Sequence, residues 1–192
     1  MILPLKQICF EDRFINWKSK CPSFSHDGTD LWVFERTEFT KRDFSHKFKH
    51  AGLRYEVSVA LGTSKIIHIA GGVPAGAWND LKLAQHLLVP KMKDDEKASA
   101  DKGYRGDKHF ITPIESPDPS IEEKIINKKL KLIQSRHEMV NARFKTFKIL
   151  TCKFRWSRNR HRLIMMCIGN IVQLKLEESP LPSLKEMFDT II

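Results

Sequence analysis

The chain has 192 residues, 41% of them apolar, and a net charge of +10, which is enough for one sizeable core and argues for one globular domain. No run of about 18 apolar residues occurs, and the apolar start of MILPLKQICFEDR is too soon broken by charge to be a signal peptide, so the reading is a soluble, intracellular protein with no membrane partner. Cys9, Cys21, Cys152 and Cys167 lack CxxC spacing, which indicates neither a zinc ribbon nor a disulfide framework and leaves four free thiols.

The charge is concentrated. Residues 124–162 hold thirteen Lys and Arg and one acid, Glu138, so this stretch carries +12 while the rest of the chain sums to −2. A basic face of this kind is the footprint of a polyanion binder, because each cation placed at a phosphate releases counterions. Its plainer reading is the solvated face of a helix.

Residues 1–21 show no clear period and read as a remnant or linker. A strand is expected through Asp27 into residues 31–34, a half-buried strand over 55–61 (YEVSVAL), and a third over 65–70. Gly71, Gly72, Pro74 and Gly76 then break the chain. Apolar residues at 78, 81, 84, 87 and 88 predict a helix of about three turns ending at Pro90. Residues 97–101 read as a short buried strand that places Asp101 at a strand tip, before a loop with Gly103 and Gly106. After SPDPS (116–120), Ser120 and Glu123 form a capping box for a long helix with the stripe Ile126, Leu130, Ile133, His137, Val140, Phe144 and Phe147. Glu138 lies on the edge of that stripe. Residues 163–176, apolar on most sides, read as a buried helix, and Pro180 and Pro182 set off a tail over 179–192. The order of three strands, a helix, a strand and then helices predicts a mixed α/β layer protein with its globular unit over 22–178.

Asp27, Asp101 and Glu138 are acids on three separate elements, 74 and 37 positions apart. Phosphodiester cleavage by two divalent ions about 3.5–4 Å apart needs hard oxygen ligands gathered in this way. Spacing alone is weak support in a chain with 23 acidic residues. Asp27 in Asp-Gly-Thr and Asp101 before Lys-Gly are also ordinary turn residues, and Glu138 could pair with bases along its helix.

The local words carry more. Asp27-Gly28-Thr29, FSHKFKHAGLRYEV (44–57), GGVPAGAWNDLKLA (71–84), ADKGYRG (100–106) and RHEMVNARFK (136–145), in this order, resemble the catalytic core of the PIF/Harbinger-like DDE transposases over roughly residues 22–175. The resemblance implies that 22–178 is a DDE transposase or endonuclease catalytic domain with a ribonuclease H-like mixed sheet flanked by helices. It further implies Asp27, Asp101 and Glu138 as catalytic residues and metal ligands, two Mg²⁺ or Mn²⁺ ions, and cut-and-paste cleavage and strand transfer on DNA in the nucleus. Asp80 falls in another matching word and is expected as a supporting acid; its plain alternative is a first-turn helix acid favoured by the macrodipole. Asp30 is a rival for the first position. His26 and His137 neighbour the expected ligands and should pack or support, because imidazole suits Zn²⁺ better than Mg²⁺. Arg136, Asn141, Arg143 and Lys145 are candidate phosphate contacts, and Trp78 and Trp156 are expected to pack rather than stack on bases.

Two features depart from the pattern. Ser25 and His26 precede Asp27 where a more apolar core strand is expected. A transposase of this type carries an upstream sequence-specific DNA-binding domain, for which the residues before Asp27 leave no room, so the chain reads as a fragment or a domesticated copy. A separate DNA-binding protein would then supply target recognition, and a homo-oligomer is a further expected partner. The rival reading is a catalytically inactive, transposase-derived DNA-binding or protein-interaction module.

Overall fold

A computed structural model describes residues 8–17, 22–35 and 40–189. Its sheet is built from β1 (Phe24–Trp32), β2 (Phe44–Ser45), β3 (His50–Ala60), β4 (Ile66–Pro74), β5 (Ala98–Ser99) and β6 (Phe110–Ile111). The helices are α1 (Asp80–Leu87), α2 (Ile121–Lys145), α3 (Lys148–Thr151), α4 (Arg158–Glu178) and α5 (Leu184–Asp189). Spatial order across the sheet is β2, β3, β1, β5, β6, with β4 also on the outer edge of β3. The β1–β3 and β3–β4 pairs are antiparallel, whereas β5 and β6 join parallel to β1. A six-stranded mixed sheet flanked by helices is consistent with the ribonuclease H-like expectation.

The two-residue period of β1 sorts its side chains onto two faces. Ser25, Asp27 and Leu31 point to the side covered by α2 and α4, where Leu31, Val57 and Val59 pack with Val140, Phe144, Met165 and Val172. Phe24, His26, Gly28 and Asp30 point to the side of α1, where Phe24 packs with Ala84, Leu88, Tyr104 and Phe110. The capping box of α2 is formed as expected, with Glu123 N–H donating to Ser120 Oγ at 3.1 Å and Ser120 N–H to the Glu123 carboxylate at 2.8 Å. Leu130, Ile133, His137, Val140 and Phe144 of the stripe are buried, while Ile126 at its start stays exposed and Phe147 lies past the helix end.

Four expectations change. The glycines at 71 and 72 do not end the third strand: β4 runs on to Pro74, and both glycines take positive φ where its register against β3 shifts. The last long helix is not buried all round, because Leu163, Met166, Ile171 and Leu174 of α4 are exposed on the side turned from the sheet. Residues 8–17, expected as remnant or linker, are built into the fold: Arg13 is buried and donates to Glu96 Oε1 at 2.6 Å, and Phe10 packs edge-on against Phe24. The tail expected from residue 179 is likewise held, with Leu181 and Leu184 buried. Cys9, Cys152 and Cys167 carry free thiols; Cys21 lies outside the described residues.

Candidate active site

The parallel pairing of β5 with β1 sets Ala98 beside Phe24 and Ser99 beside Ser25. Two residues further along each chain are Asp27 and Asp101, which therefore fall on the same face and on adjacent segments. Both line one small pocket, together with Ser25, Ser99, Gln134 and His137. The floor of the pocket is β1 and β5, and its wall is α2.

Each aspartate is oriented locally. Asp27 Oδ1 accepts the Gly28 N–H at 2.8 Å, and its Oδ2 accepts from Asn141 Nδ2 at 3.1 Å. Asp101 Oδ1 accepts the Gly103 N–H at 2.8 Å, closing an Asx turn at the head of a short 3₁₀ turn. Burial pushes the Asp27 carboxyl above its ordinary value, Lys47 opposes this, and the neighbouring Asp101 raises it further. Two acids that repel across a partly desolvated pocket, each with lone pairs left over, form a donor set suited to a hard divalent cation. Among the described residues no group of three His, Cys, Asp or Glu side chains is gathered closely enough to hold a metal ion.

The third expected ligand stands apart from that pair. Glu138 is exposed on α2 and does not line the pocket. It lies on the helical face that carries Gln134 four residues before it and Asn141 three residues after it, both of which meet the Asp27 pocket. His137 turns inward instead: its Nδ1 pairs with Ser25 Oγ at 2.8 Å, and burial lowers its pKa to about 3.

A second polar layer lies across β1, beneath Gly28. Asp30, the rival first ligand, is committed there: Arg54 donates to both of its oxygens at 2.7 and 2.9 Å, and Ser45 donates at 2.6 Å. Burial alone would raise its carboxyl, but Arg54 and Ser45 outweigh that and hold it below the ordinary value. Asp80 heads α1 behind its cap Asn79, 3.3 Å from Arg54 and 3.8 Å from Lys47. A side chain at Gly28 would collide with Asp80 Oδ1, so the strand approaches this carboxylate closely only because residue 28 is glycine. His26 Nε2, both Glu56 oxygens, Asp80 Oδ1 and the Tyr104 hydroxyl are buried here without a hydrogen-bond partner among the described residues.

The four candidate phosphate contacts divide. Arg136 is buried, and its guanidinium donates to the carbonyls of Ala60, Thr63 and Pro182, so it ties α2 to a turn and the C-terminal segment rather than reaching a phosphate. Arg143 donates to the carbonyls of Lys175 and Ser179 at the end of α4. Asn141 faces Asp27, and Lys145 is exposed. Trp78 packs beside His86 under Lys82, but Trp156, also expected to pack, is 61% exposed. Sequence reasoning missed Gln134, Arg54, Tyr104 and Lys47, whose Nζ donates to the Gly28 carbonyl at 3.1 Å. All but Gln134 sit inside words already singled out, and Gln134 is one helical turn before Glu138.

A six-stranded mixed sheet flanked by helices, with two aspartates in one pocket beneath a helix, is consistent with a ribonuclease H-like protein. Residues 27–173 match the family model of the DDE superfamily endonucleases, and the chain belongs to that family. It is 34% identical over 143 residues to a probable transposase for insertion sequence element IS702 from Microchaete diplosiphon, a match that covers 71% of this chain and 50% of that protein. The chain thus spans about half the length of this curated relative. No solved structure matches.

Proposed function

We propose that the chain is the metal-dependent endonuclease and strand-transfer core of a cut-and-paste transposase of PIF/Harbinger-like kind, with DNA as substrate and the nucleus as its place of action. The observation that carries this is the β1–β5 register, which sets Asp27 beside Asp101 in one pocket under α2. Asp27 and Asp101 would hold the divalent ions, Mg²⁺ or Mn²⁺, and Glu138 would complete the set from its exposed place between Gln134 and Asn141. When bound, the ions activate water or a 3′-hydroxyl and stabilise the leaving oxygen of the cut phosphodiester. Asn141 and the Gly28 amide fix the Asp27 carboxylate, and the Gly103 amide fixes Asp101. Lys145, one turn of helix beyond Asn141, can hold the DNA backbone beside them. Asp80, salt-bridged to Arg54 across β1, supports the floor of the pocket rather than facing the substrate.

Nicking of supercoiled DNA with Mg²⁺ or Mn²⁺ tests the reading. The chain should cut, and Asp27→Asn, Asp101→Asn and Glu138→Gln should each lose roughly a hundredfold or more, as removal of a metal ligand from charge-stabilising chemistry requires. Equal cutting by the variants would remove the site assignment. Glu138 standing outside the pocket favours one rival, a non-catalytic DNA-binding or protein-interaction module. Salt-dependent DNA binding with no cutting under either metal would establish that rival.

A further inference from the structure

We propose that a cleft at the far end of β1, walled by Phe34 and Trp156, holds an unpaired base of the DNA strand whose backbone leads to Asp27 and Asp101. This rests on the reading of DNA as substrate. Phe34 is 57% exposed and Trp156 61% exposed, and the two line one cleft of about 380 Å³ with Phe154 between them. Exposed aromatic rings on this scale lose the burial that usually rewards them, which marks a contact surface. They are not loosely held. Val33 and Phe154 form a parallel bridge, Phe34 N–H donates to the Phe154 carbonyl at 2.8 Å, and Phe154 N–H donates to the Trp32 carbonyl at 3.1 Å. Trp156 leans edge-on against Phe154 with 5.4 Å between centroids.

The surroundings select a polyanion. Lys153 Nζ lies 5.7 Å from the Phe34 ring centre and 5.3 Å from that of Trp32; Arg155 is exposed beside Trp156, and Arg158 is anchored on Asp43. No Asp or Glu occurs from residue 139 to 176. Aromatic faces among cations stack nucleobases without regard to sequence, and only a base freed from its duplex presents a face to stack. The position fits the proposed site. Six residue steps lead from Asp27 to Val33, about 20 Å at the rise of a β-strand, a length that holds roughly six phosphates of one strand along a duplex axis. In the stretch of chain that runs from Asn141, at Asp27, to Phe154, at the cleft, Lys145 and Lys148 are exposed.

The test is binding of a labelled single-stranded oligonucleotide and of the same sequence as a blunt duplex, by fluorescence anisotropy at fixed salt without added metal. The single strand should carry 2-aminopurine as a reporter of stacking. Trp156→Ala and Phe34→Ala should each weaken single-strand binding about tenfold, as loss of one stacked base does, abolish the 2-aminopurine quenching and leave duplex binding within about twofold. Trp156→Phe should restore most of the loss. Equal loss on both DNA forms would reduce the cleft to a general electrostatic contact and overturn the proposal. No loss on either, the result expected of a protein-docking surface, would overturn it too. The two readings separate cleanly: a chain that stacks bases but never nicks keeps the cleft and loses the catalytic reading, whereas one that nicks with Trp156→Ala binding normally loses the cleft alone.

Discussion

Asp27 sits where ionisation is costly, because its carboxyl is largely buried and shares a pocket with Asp101. Because burial and Asp101 raise the Asp27 pKa in the fold, the stability that this group contributes is fully present below its unfolded value and is lost as pH rises through its folded value. At neutral pH and without metal, Asp27→Asn should therefore melt above the parent chain, a direction that differential scanning fluorimetry reads directly. Adding Mn²⁺ at about a hundred times its dissociation constant should stabilise the parent by about 2.7 kcal/mol, several degrees in a domain of this size. Asp27→Asn and Asp101→Asn should lose that shift; a metal shift kept by both would place the ions elsewhere. Arg136 behaves in the opposite way. With its guanidinium buried on three carbonyls, Arg136→Ala should cost about 3 kcal/mol in urea unfolding and leave the salt dependence of DNA binding unchanged, whereas Lys145→Ala should lower the salt slope by about one.

At the scale of elements, β1 and α2 do most of the positioning. β1 is polar on both faces around Asp27, and three of these side chains have built partners: His26 Nδ1 with Ser58, Asp30 with Arg54, Ser25 with His137. The polar Ser25-His26 pair, out of place for a core strand when read alone, is thus explained. Removing one partner exposes the dependence. Arg54→Ala would leave the Asp30 charge buried without its counter-ion, held by the Ser45 hydroxyl alone, and chemical denaturation should show a loss of about 3–5 kcal/mol, against about 1 kcal/mol for Ser120→Ala, which removes only the cap of α2. Most of α2 was legible in the sequence, since the capping box and the alternating four-and-three spacing are local signals that need no partner to be read. The break at Gly71 and Gly72 was misjudged for the same reason. A bulge is defined against the neighbouring strand, so two glycines at a bulge look like a strand's end until β3 is beside them.

Across the whole molecule, the buried histidines govern the response to acid. Burial lowers His68 and His137 to about 3 and His161 to about 4, all from an ordinary 6.5. Between those values the unfolded chain takes up protons that the folded chain refuses, so stability falls as pH drops from about 6.5 toward 4. Each such proton removes up to about 1.4 kcal/mol per pH unit. Urea midpoints measured from pH 7.5 to 4.5 should fall steadily, and less steeply in His68→Gln; a flat profile would mean that these side chains are wet. Amino-acid order alone determined the main strands and helices, the capped basic helix and the words that place the chain among DDE endonucleases, because those signals lie within a few residues of one another. Only the tertiary structure decided that Asp27 and Asp101 share a pocket, that Glu138 stands beside it rather than in it, that Arg136 points inward and that Trp156 points out. Which side chains meet across 70 or more positions depends on strand pairing and register, and a one-residue slip between β1 and β5 would have sent the two aspartates to opposite faces.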